Sequence, residues 1–273
     1  MQYLSFTFPI TDSDQQEMLA AILDGQNFEG FEFHDDHVKA FLPENLFNES
    51  ELKETLANLS LPADYSTEII PETNWNQVWE SNYSPIWVDD KVYIRATFHE
   101  PALQAAFEVV IDPKMSFGTG HHETTYMMSA AMLDDDFTGH DTLDFGSGTG
   151  ILAILASKMG AKSLVAIDHE EWAYRNSLEN MELNNINNIT VIEGDESTIP
   201  QRHFGRILAN VNKNVIFRNL ELLHERLLPG GLLYLSGLLH EDENDIMGKA
   251  SSLGFRLIDK KTRGNWICLK LTK

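Results

Sequence analysis

Residues 142–150 read TLDFGSGTG, and the apolar run ILAILASKMGA follows at once. A β-prone start leads into three glycines within five residues, and a helix opens directly behind them. A strand that ends in a glycine loop and starts a helix is the first unit of a doubly wound sheet. In such sheets ligands bind at the carboxyl ends of the strands, where glycines let the backbone come close. The alternation continues downstream. SLVAID (163–168) reads as a buried strand, EEWAYRNSLENMELNN (170–185) as a helix, and ITVIEGD (189–195) and FGRILANV (204–211) as strands. The helix VIFRNLELLHERLL is stopped by Pro229-Gly230-Gly231, and LLYLSGLL is a fifth strand. FRLIDKKTRGNWICLKLTK closes the chain as two strands around a short turn. This order predicts an α/β fold with a parallel sheet and an antiparallel edge.

The glycine loop reads in two ways. From Gly148, GTGILA also satisfies the relaxed dinucleotide fingerprint G-x-G-x-x-[GA]. Three details point to S-adenosylmethionine instead. Asp144 stands two residues before the first glycine, where a carboxylate repels a pyrophosphate but suits the ammonium of a methionine moiety. Asp168 ends the second strand 20 residues after Gly148, where it can accept both ribose hydroxyls, a feature shared with nicotinamide enzymes. Gly194-Asp195 ends the third strand, where a polar side chain can meet the adenine amine. The terminal antiparallel hairpin also suits a seven-stranded methyltransferase sheet better than a dehydrogenase.

Upstream lies FGTGHHETT (117–125). It is no P-loop, because no Lys follows either glycine, and it is no zinc-protease helix, because His122-Glu123-Thr124-Thr125 is followed by Tyr126 where the second His is needed. A helix is expected over 122–133. Before it, IWVDD, VYIRATF and AAFEVVIDP read as strands. ETNWNQVWESNYSP (72–85) reads as a connecting helix with Trp75 and Trp79 on one face. The first 70 residues alternate strand, helix, strand, strand, helix, strand: YLSFTF, SDQQEMLAAILDG with a Gly stop, FEGFEF and HVKAFLP around a hairpin, NESELKETLANL and YSTEII. That is the order of a ferredoxin-like unit.

In order and spacing, DPKMSFGTGHHETT, LDFGSGTGILAILA, ILANV and LLPGGLLYLSGLL resemble the bacterial methyltransferases of ribosomal protein L-eleven, the PrmA family. The resemblance covers residues 75–273, including Trp79 and Tyr83-Ser84-Pro85, and extends to 1–70 only in architecture. It implies a seven-stranded Rossmann-like class I methyltransferase sheet over 91–273, preceded by a small acidic ferredoxin-like domain (1–72) that captures substrate and a linker helix (73–90). FGTGHHETT then resembles the family's cofactor lid. Carried over by position, Thr125, Gly146, Gly148, Asp168 and Asn210 contact S-adenosylmethionine, Phe117 and His122 close over it, and no metal is implied. Asn210 is also the candidate for orienting the acceptor amine, a lysine ε-amino or N-terminal α-amino group of a basic large-subunit ribosomal protein. The family's A-N-I-L-A becomes Ala209-Asn210-Val211-Asn212-Lys213 here, which leaves substrate choice open at 211–213.

Charge fits such a partner. The net charge is −22, and residues 1–72 hold 15 Asp/Glu against Lys39 and Lys53, a net of −13. A field of that sign attracts basic proteins and repels nucleic acid and anionic membranes. With 42% hydrophobic residues, one cysteine (Cys268, in the apolar run WICLKL) and no long apolar run, the expected setting is the cytoplasm; a monomer is the expected state, although nothing in the sequence fixes it. Competing readings are a nicotinamide-dependent oxidoreductase, a binding module that retains the fold, and a methyltransferase for a different protein or a small molecule.

Overall fold

The alternation expected of the first 70 residues is present. The computed structural model describes residues 2–59, 61, 64–70, 83–112 and 120–273, and the chain divides into two compact units, Met1–Asn82 and Tyr83–Lys273. The first unit contains β1 (Tyr3–Phe8), α1 (Ser13–Asp24), β2 (Gly30–Phe33), β3 (Val38–Pro43), α2 (Glu49–Asn58) and β4 (Ser66–Ile70). Its sheet has the order β2-β3-β1-β4 with antiparallel pairings. Leu4, Phe6 and Phe8 of β1 meet Leu19 and Leu23 of α1 and Leu52 and Leu56 of α2 in one buried cluster, so period-2 and helical spacings supply its two sides. Asp12 and Asn48 cap the helices by accepting backbone N–H groups of Gln15 and of Ser50 and Glu51. α1 ends at Gly25 as expected, although the left-handed residue of that turn is Asn27 (φ 68°).

The expected connecting helix lies outside the described residues up to residue 82. Beyond it the chain is already part of the second unit: β5 (Ile86–Val88) pairs antiparallel with β6 (Val92–Arg95), and β6 pairs parallel with β7 (Phe107–Val110). Residues 86–88 are therefore strand, and the boundary falls at Asn82/Tyr83 instead of at residue 90. Ile86, Val88 and Ile94 turn into the core of the second unit, which holds this segment there.

The second unit continues with α3 (Glu123–Met132), β8 (Asp141–Phe145), α4 (Ile151–Lys158), β9 (Ser163–Asp168), α5 (Glu171–Leu183), β10 (Ile189–Glu193), β11 (Phe204–Asn210), α6 (Lys213–Arg226), β12 (Leu227–Leu239), α7 (Glu243–Ser252), β13 (Arg256–Arg263) and β14 (Trp266–Thr272). Its large sheet has the order β10-β9-β8-β11-β12-β14-β13. The first five strands are parallel, and β14 runs antiparallel between β12 and β13. Both faces are covered. Leu164 and Ala166 face a cluster with α3, α4 and α5, whereas Val165 and Ile167 face one with α6 and α7, which is why SLVAID reads as a continuous apolar run. Pro229-Gly230-Gly231 does not separate helix from strand as a turn. β12 already starts at Leu227, and these residues form an irregularity in its pairing with β11. Lys273 Nζ donates to the carbonyls of His224 and Leu227, placing a cation at the carboxyl end of α6. Among the described residues no helix is long and apolar enough to cross a membrane.

Cys268 is buried in β14, 3.6 Å from the Met128 sulfur, and burial pushes its thiol up to about 12. It is expected to resist alkylation in the native protein at about pH 8 and to react at once in denaturant. Mass spectrometry of both samples checks this; native labelling at the denatured rate would mean that the β14–α3 packing opens readily.

Candidate active site

The order of the strands reverses between β8 and β11, and a cleft of about 480 Å³ opens there, lined among others by Gly146, Asp168, Asp195, Val211 and Asn212. Gly146 has φ 77°, and a Cβ on it would stand 2.1 Å from Val211 Cγ1, so both conformation and space demand glycine. A wider groove of about 660 Å³ lies along α6 and α7. It is open to solvent and both of its lysines are engaged, Lys213 with Asp242 and Asp245 and Lys249 over the Phe217 ring. The smaller cleft, at the strand ends, is the candidate site.

Asp168 lies at the end of β9 on this cleft. Its Oδ2 accepts the Gly148 N–H at 2.8 Å and its Oδ1 the Glu170 N–H at 3.1 Å. Each carboxylate oxygen accepts more than one bond, so both keep capacity toward a ligand. Gly148 is thus placed behind Asp168, orienting it, and its carbonyl is in turn held by Ser177 Oγ at 2.8 Å.

Asp144 is not where its reading placed it. Its side chain is buried under the loop, Oδ2 accepts the Ala153 N–H at 3.1 Å, and Oδ1 has no partner among the described residues. Burial, with a smaller push from the Asp168 charge and against the Ala153 hydrogen bond, raises its pKa to about 7. The strand end turns this carboxylate into the start of α4, away from the cleft lining.

Two residues 85 apart in sequence meet at the end of β11. Asn210 Nδ2 donates to Thr125 Oγ1 at 3.3 Å, and Thr125 is fully buried in α3. Asn210 Oδ1 is a buried acceptor without a partner among the described residues. His122 caps α3: its Nδ1 accepts the Thr124 N–H, and its ring stands edge-on to Trp266 at 4.8 Å. His121 Nε2 contacts the Ser84 carbonyl at 2.9 Å. Phe117 lies outside the described residues. Asp195 caps the turn at Glu196–Thr198 while lining the cleft. The departure at 211–213 is engaged in the fold: Asn212 caps α6 through the Val215 N–H, and Lys213 pairs with Asp242 and Asp245. Sequence reasoning missed Ser177 and Asn180, which grip the loop carbonyls of Gly148 and Thr149. Among the described residues no group of three or more His, Cys, Asp or Glu is placed to hold a metal ion.

Comparison with known proteins adds an independent finding. The family model "Ribosomal protein L11 methyltransferase (PrmA)" matches residues 4–273. The chain is similar to the ribosomal protein L11 methyltransferase of Porphyromonas gingivalis, with 39% identity over 284 residues that cover 100% of this chain and 98% of the relative. It is 36% identical over 280 residues to that of Bacteroides thetaiotaomicron, covering 100% of both. Among solved structures, the ribosomal protein L11 methylase of Lactobacillus delbrueckii subsp. bulgaricus matches with a TM-score of 0.66 at 25% identity, covering 70% of this chain and 99% of that one. A methyltransferase from Pyrococcus furiosus matches with a TM-score of 0.52 at 19% identity over 60% and 88% of the two chains, a likeness of fold alone.

The buried Asp144 has a consequence for stability. Its folded pKa lies above its unfolded value, so its ionisation opposes folding, and the penalty grows as pH rises from the ordinary carboxylate range to about 7. Asp144→Asn, which keeps the acceptor for Ala153, is expected to gain stability over the parent as pH rises toward about 7, by up to about 1.4 kcal/mol per pH unit, and no further above it. Thermal melts across this range test it, and a pH-independent difference would mean that Asp144 titrates as an ordinary carboxylate.

Proposed function

The chain belongs to the PrmA family of ribosomal protein L11 methyltransferases, and from that premise we propose that it methylates amino groups of this basic large-subunit protein with S-adenosylmethionine as donor. The observation that carries the site assignment is the meeting of Thr125 and Asn210 beside the Asp168 cleft, with Asn210 Oδ1 left as a buried acceptor.

The residues present fit this donor. Asp168 has acceptor capacity for two ribose hydroxyls, Gly146 leaves the cleft open to backbone approach, and the Thr125–Asn210 pair stands one residue before the cleft-lining Val211. Phe117 and His122 complete the set we assign to it. When bound, S-adenosylmethionine supplies a methyl group on a sulfonium, poised for in-line displacement. The work left to the protein is positioning and dehydration of a neutral amine. A lysine with pKa ~10.4 must release a proton at a cost of roughly 4–5 kcal/mol at pH 7, an α-amine near ~7.8 about 1 kcal/mol. Asn210 Oδ1 accepts an N–H of that amine and aims its lone pair. Water takes the proton, and no side chain is assigned as general base.

The first unit serves as the docking domain. We read residues 1–72 as a ferredoxin-like module, joined by a connection that ends at residue 82 to a class I methyltransferase domain that begins at Tyr83. The net charge of −13 on residues 1–72 fits the capture of a basic protein, with attraction that weakens as salt rises. The same field disfavours nucleic acid and anionic membranes as partners. A monomer in the cytoplasm, where ribosomal proteins are made, completes the proposal.

Intact-mass spectrometry tests it. A purified large-subunit ribosomal protein mixture is incubated with the enzyme, with and without S-adenosylmethionine. Donor-dependent shifts in multiples of a methyl group on ribosomal protein L11 are expected, and shifts on no protein, with donor binding intact, would overturn the substrate assignment. In the same assay Asn210→Ala is expected to lower turnover by on the order of 10- to 100-fold while donor binding by calorimetry stays within about threefold. Unchanged turnover would remove Asn210 from the mechanism.

A further inference from the structure

α5 carries Asn176 and Asn180 four residues apart, and Asn184 follows four further on, directly behind the helix. Positions spaced in this way share one helical face. On a helix behind a sheet that face ordinarily carries leucines, yet Asn176 is 2% exposed, Asn180 not at all, and Asn184 8%. The amides satisfy an edge strand. Asn184 Oδ1 accepts the Val110 N–H at 2.9 Å and its Nδ2 donates to the Val110 carbonyl at 2.6 Å. Two residues along, Asn180 Oδ1 accepts the Asp112 N–H at 2.8 Å. Side chains thus replace the ladder on the edge of β7 that β6 leaves unpaired. Asn180 differs from Asn184 in its second bond: its Nδ2 donates to the Thr149 carbonyl of the glycine loop at 2.9 Å.

We propose that Asn180 is a positioning residue of the donor site, its one amide fixing the Thr149 peptide of the glycine loop and the backbone of Asp112 together. The proposal rests on the donor reading above. Gly148 is held between the Asp168 carboxylate on its N–H and Ser177 on its carbonyl, and the following carbonyl, that of Thr149, is held by Asn180. Releasing the Thr149 carbonyl frees the loop that orients Asp168, the residue assigned to the ribose. A residue that only satisfied the core would alter melting temperature and leave ligand affinity alone. Asn184 is the internal control, since it is on the same side of α5 and bonds the same strand without touching the glycine loop.

The test uses the full chain, with S-adenosylmethionine affinity by isothermal calorimetry and stability by thermal melts. The variants are Asn180→Ala, Asn180→Asp and Asn184→Ala. Asn180→Asp keeps volume and the acceptor for Asp112 but cannot, when ionised, donate to Thr149, so it reads the loop bond should the alanine variant fail to fold. Both Asn180 variants are expected to weaken donor binding at least about tenfold, whereas Asn184→Ala stays within about twofold at a comparable loss of melting temperature. Folded Asn180 variants with parental affinity, or an equal weakening in Asn184→Ala, would overturn the positioning role. Failure of the unaltered chain to bind would instead sink the donor reading and the proposal with it.

Discussion

Val211 is wedged where the sheet changes direction. Its Cγ1 occupies the space a Cβ on Gly146 would need, 2.1 Å away, and its carbonyl oxygen lies 2.3 Å from where one on Gly237 would be. Both glycines have positive φ, so β8, β11 and β12 converge on one residue that tolerates no side chain opposite it. This contact sets the chain's exit from β11. Asn210, one residue earlier, is delivered to Thr125, and Asn212, one residue later, caps α6. The cleft and its acceptor thus depend on a steric fit, with hydrogen bonds finishing the geometry.

The same residue shows what a sequence conveys and what it conceals. Glycines at 146, 148 and 150, the apolar run of β9 and the caps Asp12, Asn48 and Asn212 are local signals, and most strands and helices among the described residues lie within a few residues of where those signals put them. Val211-Asn212-Lys213 reads as a change at the acceptor site because pattern alone does not separate a residue facing ligand from one facing its own fold. The structure uses Asn212, which also lines the cleft, as the cap of α6, and Lys213 as an ion-pair partner of Asp242 and Asp245 at the start of α7. Asp144 misleads for a related reason. A carboxylate at a strand end reads as ligand-facing, yet strand twist decides which way it points, and here it points into α4. The asparagines of α5 are hidden because their partners lie 68 and 74 residues away, and a polar helical face ordinarily means solvent. β5 to β7 are legible as strands but not as a separate sheet, since their pairing depends on packing beyond the local pattern.

Charge is partitioned by unit. Much of the acidity of residues 1–72 lies on exposed positions, among them Asp14, Glu17, Glu32, Glu49, Glu54 and Glu68. In the second unit several cations are engaged locally. Lys260 meets Glu243, Lys261 meets Asp134, Lys270 meets Asp135 in a network with Tyr234, and Arg263 lies over the Tyr126 ring at 3.8 Å. The exposed pairs among these add little stability, whereas Lys270–Asp135 is largely buried; together they neutralise the basic β13–β14 hairpin. More than half of the net charge of −22 thus lies on residues 1–72, about a quarter of the chain.

The acceptor at the end of β11 is an amide, and its neutrality suits the proposed chemistry. A carboxylate there would form an ion pair with the incoming ammonium and raise its pKa, making deprotonation costlier by about 1.4 kcal/mol for every tenfold drop in acidity. An amide oxygen orients an N–H without that penalty. The carboxylates nearby are otherwise engaged, which supports the role proposed for Asn210: Asp168 is oriented by the backbone of Gly148 and Glu170, and Asp144 is buried with its pKa raised to about 7. Dehydration then favours the uncharged amine, because stripping water from an ammonium costs far more than stripping it from an amine. In the proposed mechanism a buried neutral acceptor and an acidic domain upstream divide the labour: long-range negative charge would gather the cationic protein, and the site would favour the uncharged form of the group that reacts.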